Sequence, residues 1–226
     1  RPQAAGRADL IKKRKRPAAG FQGEMDPDGR SVLCGILHRG TYRLFHKTRK
    51  VKQMLQQLYP DHEADSAYGI DYKELYEKGY RGIIFDIDNT LVPHGAPATP
   101  RAIALFAKLK ELGFQTLLLS NNKEPRVKSF ADDVGAFYIY KAGKPGQKGY
   151  LKAMEQMHTT KDTTLFVGDQ LFTDVWGAKK CGIVTYLTKP IHPKEEIQIV
   201  LKRYLEKIVL FFYHRQCRRK GRKNAE

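Results

Sequence analysis

From Gly82 onward the chain alternates short, uninterrupted apolar runs with longer stretches at helical spacing. The runs near 82–87, 114–119, 136–140, 163–168 and 183–187 are rich in Ile, Leu, Phe and Val. They show little polar alternation, as strands buried on both faces do. The stretches between them, about 100–112, 124–134, 147–157 and 173–181, read as helices; Pro100 suits a first turn and Gly113 an end. Such alternation predicts an α/β fold: a Rossmann-like parallel sheet with helices on both faces. Upstream, Val51, Leu55 and Leu58 fall at helical spacing within 42–59, and Tyr72–Lys78 predicts a second short helix. Downstream, 194–213 predicts a C-terminal amphipathic helix with Ile197, Leu201, Tyr204, Leu205, Ile208 and Phe212 on one apolar side. Up to Ile208 that side suits packing on the sheet. The Phe211-Phe212-Tyr213 end and the basic run after it better suit a membrane interface. The chain thus divides into a basic, disordered extension (1–50), a helical segment (51–80), an α/β core (81–190), the terminal helix (191–213) and a polybasic tail (214–226).

The chemistry lies at the ends of the apolar runs. Ile83-Ile84-Phe85 leads straight into Asp86 and Asp88, with Thr90 two positions on. Carboxylates at the end of a buried strand are costly unless something neutralises them, and Mg²⁺, which takes hard oxygen ligands, is the simplest candidate. Asp86 is assigned as nucleophile, forming an aspartyl-phosphate, and Asp88 as general acid and base. A solvated strand end explains a bare Asp-x-Asp equally well, so the pattern has to be completed elsewhere. The second run ends in Ser120-Asn121-Asn122, which suits phosphate oxygens or an ordinary helix cap. Lys144 sits in the loop Ala-Gly-Lys-Pro-Gly, where it can offset phosphoryl charge. The fourth run ends in Gly168-Asp169, with Asp169 a further metal ligand and Asp174, in the first turn of the next helix, a support for the site. All of these fall at carboxyl ends of predicted strands, where open α/β sheets bind ligands.

In this order, FDIDNT, LLLSN, the Lys144 loop and GDQLFTD resemble the four motifs of the haloacid dehalogenase superfamily, over about Gly82 to Thr188. FDIDNTLVPH, SNNKEPRV, KAGKP, GDQLFTDV and KPIHPKEEI are similar to its YqeG-type, subclass IIIA members. The resemblance implies a phosphatase with Asp86 as nucleophile and Asp88 as acid/base. It implies Mg²⁺ held by Asp86, the backbone carbonyl of Asp88, and Asp169, and phosphate bound by Ser120, Asn121 and Lys144. Relatives of this type dephosphorylate phosphatidylglycerophosphate. The spacings from Thr90 to Ser120 and from Asn122 to Lys144 leave no room for the cap domain that encloses small substrates elsewhere in the superfamily. A capless, open cleft suits a phosphate carried on something large, such as an anionic lipid; a soluble ester or a phosphoprotein is the alternative.

Charge adds a second theme. The net charge of +17 is concentrated at the ends: residues 1–52 hold 14 Lys and Arg against 4 Asp and Glu, and residues 213–226 hold 6 against 1. Basic ends suit a peripheral, anionic membrane surface. They also suit nucleic acid, as in an accessory RNA- or ribosome-binding protein, although no nucleic-acid motif accompanies them. The three cysteines, Cys34, Cys181 and Cys217, form no metal or redox pattern, which fits a reducing compartment. No run approaches the roughly 20 apolar residues that span a bilayer, and no secretory leader is expected. A cytoplasmic protein, peripheral at the inner membrane face, is the expectation. The sequence opens on Arg1, with Met25 and Met54 as candidate starts. The oligomeric state is left open by the sequence.

Overall fold

The structure, a computed structural model, describes residues 55–192 and 197–223, all within one compact unit spanning Val51–Glu226. The expected extension over 1–50, and all but the last turn of the helix expected over 42–59, lie outside the described residues. In chain order the elements are β1 (His62–Ala64), α1 (Tyr72–Glu77), β2 (Gly82–Phe85), α2 (Pro100–Glu111), β3 (Gln115–Leu119) and α3 (Glu124–Val134). There follow β4 (Phe137–Ile139), α4 (Gln147–Gln156), β5 (Thr164–Gly168), α5 (Trp176–Lys180), β6 (Val184–Thr188) and α6 (Ile197–Lys223). The six strands form one sheet in the order β1-β6-β5-β2-β3-β4, and every pairing is parallel.

Successive side chains on a strand point to opposite faces, and here both faces are filled. Ile83, Phe85, Leu118, Leu165 and Val167 pack with α1, α2 and α3 residues such as Leu75, Phe106 and Phe130. Their neighbours Ile84, Leu117, Leu119 and Phe166 pack on the other side with Tyr150, Met154 and Ala178. This is why the strand runs carry no polar alternation. The helices begin and end by local chemistry: the Thr99 hydroxyl accepts from Ala102 N at 3.2 Å ahead of Pro100, and Gly135 closes α3 in the left-handed region at φ 68°. Only loop residues join β2 to α2, and only α3 and β4 stand between β3 and α4. No cap domain covers the carboxyl edge of the sheet among the described residues.

The β2–β3 connection leaves to one side of the sheet and the β5–β6 connection to the other. The switch point of the topology therefore lies between β2 and β5, which pair with Phe85 opposite Val167.

Three features depart from the sequence reading. The segment 51–80, expected to be helical, also contributes β1, an edge strand of three residues. The strand is anchored from just before it: Asp61 accepts from Thr185 N and Thr185 Oγ1, both at 3.0 Å, and from Lys179 Nζ at 2.5 Å. The helix expected over 173–181 starts as a wide π turn, Leu171–Val175, before α5. And α6 runs on to Lys223, through the basic stretch expected to be a tail. Arg and Lys are good helix formers and are favoured at a helix carboxyl end.

Leu118 is fully buried and Ile103 on α2 is largely exposed. In chemical denaturation, Leu118→Ala is expected to lose about 2–5 kcal/mol, and Ile103→Ala no more than about 0.5 kcal/mol.

Candidate active site

The switch point carries the acidic residues. Asp86 directly follows β2, and its N–H still pairs across the sheet with Val167 O at 2.9 Å. The chain then turns sharply: Ile87 O accepts from Thr90, Leu91 and Val92 N, with Asn89 in the left-handed region at φ 63°. The turn sends Asp86 and Asp88 to different surroundings and aims the Thr90 hydroxyl at Asp169 Oδ1, 3.2 Å away. Asp169 follows β5, and Asp174 comes from the π turn; Gln170, just ahead of that turn, donates its N–H to Asp174 Oδ2 at 3.1 Å. Gly168 makes room for this: a Cβ there would lie 2.6 Å from Asp174 Oδ2.

Lys144 joins the two halves. Its ammonium donates to Asp86 Oδ1 at 2.5 Å and to Asp174 Oδ1 at 2.7 Å, and all three side chains are buried. The loop that delivers it is held by Asn121, whose Oδ1 accepts from Lys144 N at 2.8 Å and whose amide donates to Lys144 O at 3.2 Å. Asn121, expected on phosphate, is thus placed as a brace for the lysine. Ser120 is buried at the end of β3, and its hydroxyl oxygen accepts from Asn122 N at 3.1 Å. The residue that caps α3 is Lys123, through its backbone alone.

Asp88 stands apart from this cluster. Its Oδ1 accepts from Gly95 N at 2.8 Å and from Arg126 at 3.1 Å, and its Oδ2 accepts from Asn122 at 2.7 Å. The sequence reading missed Asn122 and Arg126 as partners of Asp88. The signal was present, since both lie in SNNKEPRV, and a side chain in a first helical turn points back over the preceding strand end.

A further residue found only in the structure is Arg203 on α6. It donates to the carboxylate and to the backbone oxygen of Asp169, and to Glu206 Oε2 at 3.0 Å. Glu206 in turn accepts from Leu171 N at 2.7 Å. These polar anchors fix the rotation of α6 and overturn the expected packing. Among the described residues Val209 is the buried apolar residue of its inner face, while Tyr204, Leu205 and Ile208, expected against the sheet, are exposed, as is Phe212.

Asp86, Asp169 and Asp174 each offer an oxygen within 4.8 Å of the others. Three buried carboxylates, with Glu206 sharing Arg203, face two cations, Lys144 and Arg203, which leaves negative charge in excess. Burial pushes the Asp86 carboxyl up to about 7; Lys144 opposes this, and Asp174 and Asp88 add to it. Burial, with Asp174 and Asp86, likewise raises Asp169 well above the ordinary carboxylate range against the pull of Arg203. Burial also works against the charge of Lys144, but Asp174 and Asp86 outweigh it and hold the ammonium protonated. An all-oxygen, carboxylate donor set with an unbalanced charge fits a hard divalent cation.

Comparison with known proteins shows the family. Residues 95–182, which carry Ser120, Asn121, Lys144, Asp169 and Asp174, match the family model for haloacid dehalogenase-like hydrolases. The chain is 38% identical over 159 residues to the probable phosphatase YqeG of Bacillus subtilis (strain 168), covering 70% of this chain and 92% of that protein. It is 28% identical over 166 residues to the chloroplastic/mitochondrial phosphatidylglycerophosphate phosphatase 1 of Arabidopsis thaliana, covering 61% of this chain but only 45% of that relative. Among solved structures, the deoxy-D-mannose-octulosonate 8-phosphate phosphatase of Haemophilus influenzae aligns at 15% identity and a TM-score of 0.41, over 61% of this chain and 91% of that one. The chain belongs to the haloacid dehalogenase-like hydrolases. Within that family its similarity is to phosphatases of the YqeG type.

A carboxyl raised to about 7 in the folded state binds its proton more tightly there than in the unfolded chain, where it titrates near 4. Its contribution to stability is therefore present below about pH 4 and lost as pH rises through about 7. A divalent cation must displace the proton. Calorimetric titration of the metal-free protein is expected to give an affinity that rises with pH from about 5.5 through 7, with proton release on binding. An affinity independent of pH across that range contradicts this charge balance.

Proposed function

We propose that the protein is a Mg²⁺-dependent phosphomonoester hydrolase that works through an aspartyl-phosphate on Asp86 and acts on phosphatidylglycerophosphate at the cytoplasmic face of a membrane. The observation that carries the reading is the convergence of Asp86, Lys144, Asp169 and Asp174 at the switch point of an uncapped sheet. Asp86, Asp169 and the backbone carbonyl of Asp88 are the proposed cation ligands, and Asp174 lies close enough to join them. Bound there, Mg²⁺ supplies neutralisation of charge on the phosphoryl oxygens.

In the first step an Asp86 oxygen bonds to phosphorus, the ester P–O bond breaks, and the leaving oxygen takes a proton from Asp88. In the second, water gives its proton to Asp88 and bonds to phosphorus, the Asp86–phosphorus bond breaks, and inorganic phosphate leaves. Lys144 lies 2.5 Å from Asp86, where its ammonium can hold the nucleophile in place and offset phosphoryl charge. The Ser120 hydroxyl, at the end of the neighbouring strand, is the proposed phosphate donor. Asp88 is held by Gly95, Asn122 and Arg126, and its Oδ2, which accepts from Asn122, keeps a second lone pair for proton exchange.

The lipid substrate is supported by the name of the Arabidopsis relative, by the uncapped cleft and by the basic, partly apolar α6. Asp86→Asn is expected to lower phosphate release from any ester by at least about 10⁴-fold with the folded state retained. Lys144→Met is expected to lower turnover and also to destabilise the fold by roughly 3–5 kcal/mol, since it leaves two buried carboxylates unpaired. Phosphate release from phosphatidylglycerophosphate in mixed micelles, beside glycerol phosphate and a phosphopeptide, tests the substrate. A rate on the lipid no higher than on the soluble esters removes the lipid assignment and leaves the hydrolase.

A further inference from the structure

The exposed face of α6 and its contact with Asp169 belong to one helix. On the inner face, Arg203 grips Asp169 through both its carboxylate and its backbone oxygen, Glu206 holds Leu171 N, and Val209 packs with Leu58, Leu171, Val175 and Leu187. Further along, Tyr213 lies against Tyr59, and His214 meets Glu63 at 2.9 Å. On the outer face Tyr204, Leu205, Ile208, Phe211 and Phe212 recur at the spacing of a single helical stripe, and every one is at least half exposed, Tyr204 at 62%. Exposed Lys207, Arg215 and Arg218 flank this stripe, and the helix continues through Arg219, Lys220, Arg222 and Lys223.

We propose that Arg203 is a positioning residue for the cation site and that α6 couples this site to docking of its outer face on an anionic lipid bilayer. The inference rests on the Mg²⁺-phosphatase reading of the same site. The geometry gives the sign of the effect of Arg203. The Thr90 hydroxyl, from the loop that carries Asp86, marks Asp169 Oδ1 as the oxygen turned toward the site, while Arg203 takes Oδ2 and the main chain. The guanidinium therefore holds the carboxylate from behind and leaves its inner oxygen to the cation. A ligand fixed by a hydrogen-bonded partner binds its metal more tightly than one left to rotate. Coulomb repulsion between Arg203 and the cation acts the other way, and the contact on the far oxygen reduces it.

The occupant of the outer face follows from composition. Three aromatic rings and two aliphatic side chains form an apolar stripe with a basic end, in a chain of net charge +17. That combination fits the headgroup boundary of an anionic membrane, where each nearby basic residue contributes about 1 kcal/mol. Because the inner face holds only Glu206 and Val209 fully buried among the described residues, a bilayer that stabilises α6 also stabilises the grip of Arg203 on Asp169. Trp176, the only tryptophan of the chain, packs in the same cluster as Val209 and reports on the seating of the helix.

The test uses the full chain. In calorimetry with Mg²⁺ alone, Arg203→Gln is expected to bind about 10- to 100-fold more weakly and Arg203→Lys to recover part of the loss, with Trp176 fluorescence monitoring whether α6 stays seated. Vesicles of phosphatidylcholine with about 30% phosphatidylglycerol are expected to co-sediment with the protein and to raise its turnover of p-nitrophenyl phosphate, while pure phosphatidylcholine does neither. Ile208→Ser with Phe212→Ser is expected to abolish vesicle binding and leave the Mg²⁺ affinity in solution unchanged. Equal or tighter Mg²⁺ binding by Arg203→Gln overturns the positioning role. Binding to both vesicle types alike, or a dimer in light scattering that the Ile208→Ser, Phe212→Ser pair dissolves, overturns the bilayer assignment. The Mg²⁺ readout needs no turnover, so it fails or holds separately from the loss of activity expected of Asp86→Asn.

Discussion

Three carboxylates buried at the carboxyl edge of a parallel sheet impose the constraint to which the rest of the site answers. Desolvating an ionised carboxylate costs several kcal/mol even after relaxation, and an unpaired one is not tolerated. Lys144 between Asp86 and Asp174 and Arg203 on Asp169 offset most of that charge. Much of the surrounding detail exists to hold these two cations and their partners. Asn121 braces the backbone of Lys144, Gln170 N fixes the carboxylate of Asp174, and the missing side chain at Gly168 lets that carboxylate approach. Tyr150, fully buried, donates to Thr173 O at 2.9 Å and pins the π turn from below. A π turn costs hydrogen-bond geometry, and such turns collect at functional sites. Here it brings Asp174 back toward Lys144.

The sheet supplies the precision. Asp86 and Asp169 lie one residue beyond Phe85 and Gly168, on strands paired in register. The distance between their carboxylates is therefore set by strand geometry and by the close packing of Phe85, Phe166 and Val167. Groups that must keep a fixed separation are carried by strand ends. Asp88 and Arg126, by contrast, sit on a loop and a first helical turn.

What could be read from the sequence divides along the same line. The five core strands and the site residues that follow them were visible because a strand buried on both faces has an unmistakable composition, and a polar residue at its end stands out against it. The strand β1 was not visible: His62, Glu63 and Ala64 have no apolar pattern, and their place is fixed by Asp61 reaching Thr185, 124 residues away. Arg203 was invisible for a related reason. Its partner lies 34 residues earlier, and within its own helix it reads as one more basic residue beside an apolar stripe. The rotation of α6 was misread because the helix has apolar side chains on more than one face from Tyr204 to Tyr213. Periodicity alone cannot choose between two such faces. The choice is made by Arg203 and Glu206, whose polar contacts are possible in one orientation only.

The division between Asp86 and Asp88 follows from the same physics. Two residues apart on a continuing strand, they would share one face and one environment. The turn centred on Ile87 O separates them. Asp86 is sealed among carboxylates and a lysine, so its charge answers to whatever cation or proton is present. Asp88 is met by a backbone N–H, an amide and a guanidinium at the edge of the cleft. When two identical groups receive such different surroundings, their chemistry separates, as in acid/base pairs generally. On the proposed mechanism the buried one is the natural nucleophile, because it is held rigidly at the end of β2. The other is the natural proton carrier, because it lies apart from the buried cluster and two of its three partners are side chains.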